Sequence, residues 1–117
     1  MKKIQNYING EYKSPSSEEW LDNCNPSTGT VYSKIPKSTS EDVALAYKAA
    51  SDAFPSWSNT TLEERSKIML RIADLIEANL NELAKAESLD NGKPLSLAKA
   101  VDIPRASSNF RFFGNAI

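Results

Sequence analysis

The chain has 117 residues, with 14 Lys and Arg against 15 Asp and Glu, one cysteine and no histidine. A hydrophobic share of 40% beside 25% charged residues suits one modest soluble domain rather than a disordered chain. The near-neutral balance offers no basic field for nucleic acid, and no run is long and apolar enough to span a bilayer. Cys24 alone excludes an internal disulfide, and without histidine no metal site is expected.

Met1-Lys2-Lys3 has positive charge but no apolar run behind it, so no secretory signal is read. With the lone cysteine, this fits a cytoplasmic chain. Residues 4–13 predict a β-hairpin, because Asn9-Gly10 accepts the positive φ angles of a two-residue turn. Residues 14–19, with Pro15, predict a loop. Trp20–Asn25 and Thr30–Ile35 predict a second hairpin around Pro26-Ser27-Thr28-Gly29. Two hairpins are marginally stable alone and must lean on something else.

From about residue 40 the periodicity turns helical. Ser40 is the expected N-cap, with Glu41 and Asp42 in the first turn, where the helix dipole favours acids. Val43, Ala46, Tyr47, Ala50, Ala53 and Phe54 make one apolar stripe, Pro55 is expected to end it, and Trp57 reads as a packing anchor. Thr61-Leu62-Glu63-Glu64 is a capping box opening a long amphipathic helix. Its stripe runs through Ile68, Ile72, Leu75, Ile76, Leu80, Leu83 and Ala84, with a bend possible at Asn79 and Asn81 and a charged, solvated opposite face. Asn91-Gly92 supplies a left-handed stop, and Pro94 cannot continue the helix. Residues 95–101 can make two turns. Asp102 then reads as a fresh N-cap for a last helix toward Ile117, with Ile103, Ala106, Phe110, Phe113 and Ile117 on one side.

The phrase Glu87-Ser88-Leu89-Asp90-Asn91-Gly92-Lys93-Pro94 resembles the E-x-x-D-x-G-K-P phrase near the N-terminus of the aldehyde dehydrogenase superfamily. Three further stretches fall in the family's order: Tyr7-Ile8-Asn9-Gly10-Glu11-Tyr12, Asn25-Pro26-Ser27-Thr28-Gly29, and Ala53-Phe54-Pro55-Ser56-Trp57 followed by Glu64-Arg65. The resemblance implies a partial α/β fold over residues 1–117. Two hairpins (about residues 4–36) and three or four helices (about residues 40–117) would pack beside a coenzyme-binding sheet. It implies oxidation of an aldehyde to the acid with NAD or NADP, by a homo-oligomer when full length. The family's catalytic cysteine, its glutamate, its oxyanion asparagine and its coenzyme turn lie downstream of the matched region. This chain alone is therefore expected to hold no catalytic residue, to bind no coenzyme, to be silent and to fold poorly. A binding module derived from the family, docking a partner through its helical stripe, is the alternative, and a helical structural protein is a third reading.

Cys24 does not match the family's nucleophile and has no histidine or helix N-terminus beside it to stabilise a thiolate. Asp90-Asn91-Gly92-Lys93 lacks P-loop spacing. Asp102-Ile103-Pro104-Arg105, followed by Asn109-Phe110-Arg111-Phe112-Phe113, resembles the branch containing 2-aminomuconate- and 2-hydroxymuconate-semialdehyde dehydrogenases. That resemblance makes Arg105 a candidate partner for a substrate carboxylate, since a guanidinium fork meets a carboxylate bidentately. The residues leave a second reading open, in which Arg105 pairs with Asp102 three positions earlier on the same helix face. Arg111 is a weaker candidate, and the phenylalanines read as core.

Overall fold

Asn9 and Gly10 take φ values of 54° and 80° and turn β2 (Asn6–Ile8) back against β3 (Glu11–Lys13), so the first hairpin forms where the Asn-Gly signal puts it. The computed structural model describes residues 1–117, which divide into two units, Met1–Asn59 and Thr60–Ile117. The second hairpin, β4 (Trp20–Asn25) and β5 (Thr30–Pro36), is also present, with a bulge between Asn23 and Cys24. Gly29 turns it at φ 70°. One strand lies outside the sequence expectation. β1 (Lys2–Lys3) pairs parallel to β5, and the pairing continues through the Ile4 amide to the Lys34 carbonyl at 2.8 Å. Two consecutive lysines show no alternation, and the pairing is long-range, so no local pattern announces it.

Helix α1 (Ser40–Ser58) begins one residue differently from expectation. Thr39, not Ser40, is the N-cap, because Asp42 three residues on returns the bond and completes a capping box. Asp42 does more than cap. It is buried, and it also accepts from the Ser16 amide at 2.9 Å and the Ser16 hydroxyl at 3.1 Å, tying the first loop to the helix start. The Thr39 amide, followed by the Ser16 amide and the two hydroxyls, outweighs burial and holds the Asp42 carboxyl below its ordinary 3.8. A depressed carboxylate pKa contributes stability that is complete above the unfolded value and lost as pH falls through the folded one. Asp42→Asn should therefore lower the unfolding midpoint at pH 7, and the deficit should shrink below about pH 4. Thermal unfolding of the complete polypeptide at both pH values checks this.

Pro55 does not end α1. The helix runs through it and stops at Asn59, whose side chain donates to the Pro55 carbonyl at 2.8 Å. A proline costs the helix a donor, and here the lost bond lies in the exposed last turns. The α1 stripe is not packed within its unit: Val43, Tyr47 and Phe54 are 65%, 75% and 65% exposed, and Trp57 is half-exposed rather than a buried anchor.

In the second unit the Thr61 capping box opens α2 (Leu62–Ala78) as expected. The long helix is two helices. Asn79 donates its side-chain amide to the Leu75 carbonyl at 2.8 Å and separates α2 from α3 (Leu80–Asn91). An asparagine that bonds the preceding turn competes with the helical ladder. Gly92, at φ 77°, closes α3. A short α4 (Leu95–Leu97), a π-helical turn (Ala98–Asp102) and α5 (Ile103–Ala116) follow without interruption.

Helix α5 packs chiefly on α2, and its buried positions are small residues rather than large apolar ones. The buried α5 residues are Ser107 and Gly114, facing Ala73, Met69 and Leu70. Phe112, Phe113 and Ile117 are exposed, which overturns the reading of the phenylalanines as core. Small residues let two helices approach closely, and that need outranks hydrophobic periodicity at this seam. The buried apolar side chains of the whole chain are Ile8, Pro15, Ala73, Ala84 and Ala98.

Candidate functional site

The phrase around Gly92 and the start of α5 meet in one place. After the left-handed Gly92, the Lys93 amide donates to Asn91 Oδ1 at 2.9 Å, and the Ser88 hydroxyl donates to the Lys93 carbonyl at 2.6 Å. So held, Lys93 sends its ammonium to Asp102 Oδ2 at 2.8 Å. That oxygen is shut off from solvent and receives no directed hydrogen bond, so the contact is an ion pair that compensates an otherwise isolated charge. Lysine and aspartate nine residues apart follow no helical spacing, and the loop geometry alone brings them together.

Asp102 is not the expected N-cap. Its backbone is helical (φ -67°, ψ -52°) and its side chain makes no capping bond. The cause lies two residues on. Pro104 has no N–H to give the ladder, and its ring crowds the preceding turn. The turn widens, and the Ile103 amide bonds the Ala98 carbonyl five residues back.

Arg105 stands just beyond this turn. It is exposed and makes no hydrogen bond or ion pair with any of residues 1–117. The Asp102 carboxylate pairs with Lys93, so the local Asp102–Arg105 pair is not formed. Arg111, two turns further, is engaged inside the unit, with Nη2 3.0 Å from Asp74 Oδ1 and 2.9 Å from Glu77 Oε1. Glu77 also accepts from the Ser107 hydroxyl at 2.6 Å. The Ser107 bond first, then Arg111, holds the Glu77 carboxyl below its usual 4.5, while Glu77 and then Asp74 raise the Arg111 guanidinium. Two of the acids expected on a simply solvated face thus anchor α5.

Residues with reactive chemistry are sparse. Cys24 is exposed at the β4 bulge. Histidine is absent, and no group of three or more Cys, Asp or Glu could hold a metal ion. No helix is long and apolar enough to cross a membrane. The glycines do not match a coenzyme cradle: Gly10 and Gly29 turn hairpins, Gly92 caps a helix, and Gly114 lies in a helix–helix seam. None sits where a strand hands over to a helix.

The chain is 48% identical to bovine (Bos taurus) 2-aminomuconic semialdehyde dehydrogenase over 114 residues, which are 97% of this chain and 23% of that protein. Among solved structures, PnpE in complex with nicotinamide adenine dinucleotide superposes with a TM-score of 0.94 at 36% identity, covering 98% of this chain and 23% of that one. The NAD+ complex of an aldehyde dehydrogenase from Bacillus cereus gives 0.93 at 37% identity, covering 97% and 24%. The chain therefore spans about a quarter of the length of the proteins it matches. Residues 12–117 match the aldehyde dehydrogenase family, and the chain belongs to that family.

Proposed function

We propose that these residues are the N-terminal part of an NAD(P)-dependent aldehyde dehydrogenase that oxidises a carboxylate-bearing semialdehyde, and that they are catalytically silent alone. In that reaction the aldehyde and a water would become the acid, with the hydride passing to NAD or NADP and one proton released. The residues here supply neither the thiolate nor the coenzyme cradle, so no step of that chemistry is assigned to them. Their part is recognition. Arg105, exposed and uncommitted beside a braced helical turn, offers its guanidinium fork to the substrate's distal carboxylate. The observation that carries this reading is the contrast between the two arginines of α5: Arg111 is neutralised by Asp74 and Glu77, and Arg105 is not.

In the complete polypeptide, Arg105→Ala should raise KM for an acidic semialdehyde by at least about tenfold, the loss expected for a charge-assisted hydrogen bond. KM for a neutral aldehyde of similar length should stay nearly unchanged. Equal losses on the two substrates would remove the carboxylate role. A second reading draws on the exposed α1 stripe, which fits a module that docks a full-length relative. A cleanly folded monomer or a specific hetero-complex of the 117 residues would favour it.

A further inference from the structure

We infer that the Lys93–Asp102 ion pair is a positioning device that sets the direction of Arg105, and so acts on recognition of the substrate carboxylate. The inference rests on the reading of Arg105 given above. From Ser107 onward α5 is fixed by its bonds to Ala73 and Glu77 and by the Gly114 contact, so the brace acts on the first turn alone, where Ile103, Pro104 and Arg105 precede the first seam residue. Within that first turn, the width of the π turn at Ala98–Asp102 sets how far Arg105 is turned about the helix axis. Two features keep it wide. Pro104 removes an α-helical donor and crowds the turn before it. Asp102, the last residue of the turn, is tied by its side chain to Lys93 at 2.8 Å. Lys93 is in turn fixed through its own backbone to Asn91 and Ser88 at the end of α3. The stop at Gly92 is thus one end of a brace between α3 and the root of α5, and Arg105 is three residues beyond the braced carboxylate.

The test uses the complete polypeptide with Lys93→Gln, Asp102→Asn and Arg105→Ala, each assayed on an acidic semialdehyde and a neutral aldehyde. A misaimed recognition group should raise KM for the acidic substrate about tenfold in both brace variants, with kcat and the neutral KM within about twofold of the parent. Equal losses on both substrates would make the brace merely structural and overturn the assignment. If Arg105→Ala removes the acid preference and the brace variants keep it, the brace assignment fails and the Arg105 reading stands. If Arg105→Ala keeps the preference, both fail. Should the single variants not fold, Asp102→Glu keeps the charge and lengthens the arm. It should shift the acidic-to-neutral KM ratio about threefold, and an unchanged ratio overturns the assignment.

Discussion

Gly114→Val should destabilise the second unit by about 3 kcal/mol, at the upper end of overpacking costs. A Cβ at Gly114 would lie 3.1 Å from Met69 Cβ and 3.3 Å from two Leu70 side-chain atoms. Met69 Cβ is fixed to its own helix backbone and cannot swing away, so α2 and α5 must separate. Separation would also stretch the 2.6 Å bond from the Ser66 hydroxyl to the Gly114 carbonyl and weaken the Ser107 contacts one seam position away. Gly114→Ala brings the same first contact without the branches. The better helix propensity of alanine offsets part of the clash, so its net cost should be about 1 kcal/mol. Denaturant unfolding of the complete polypeptide followed by α-helical circular dichroism separates the two variants. A valine variant as stable as the parent would mean that the seam does not hold α5 in place.

The second large effect concerns the 117 residues in isolation. They should unfold with low cooperativity and bind a hydrophobic dye strongly, and both properties should vanish in the complete polypeptide. The accessible surface is 8241 Å². Two separate compact bodies of half the mass would together expose about 7,600 Å² by the usual size scaling. Besides Pro15, one isoleucine and three alanines are the only apolar side chains that are buried, far too little to offset the chain entropy of ordering. The apolar surface left open is organised. On α1 it is the Val43, Tyr47 and Phe54 stripe; where α2 bends into α3 it is a groove of about 410 Å³ formed by Ile72, Leu75, Ile76, Leu83 and Ala86. Helices patterned this way are built to cover a sheet. A sharp thermal transition without dye binding would contradict this and favour the docking-module reading.

What the sequence makes legible is what local chemistry decides. Asn9-Gly10 accepts a hairpin turn, Thr61 and Glu64 satisfy each other's helix-end donors, and Gly92 takes the left-handed stop. Each signal acts within four residues. The errors occur where a distant partner or a competing bond wins. Thr39 displaces Ser40 as the cap because Asp42 sits three residues on, a capping-box spacing carried by the sequence itself. On α5, apolar periodicity marks what a helix buries in the end, not which neighbour it meets first. Ser107 and Gly114 make the α2 seam while the phenylalanines face outward. The pairing of Lys93 with Asp102 has no sequence signal, and it displaces the local Asp102–Arg105 pair.

The most direct measurement compares coenzyme reduction by the isolated 117 residues and by the complete polypeptide, on the same acidic semialdehyde with NAD and NADP. The expected result is no turnover by the isolated chain and turnover by the complete polypeptide, unchanged by Cys24→Ser. Reduction of either coenzyme by the 117 residues alone, loss of turnover in Cys24→Ser, or a complete polypeptide that leaves the aldehyde untouched would contradict the assignment of this chain as the recognition-bearing, chemically silent N-terminal part of an aldehyde dehydrogenase.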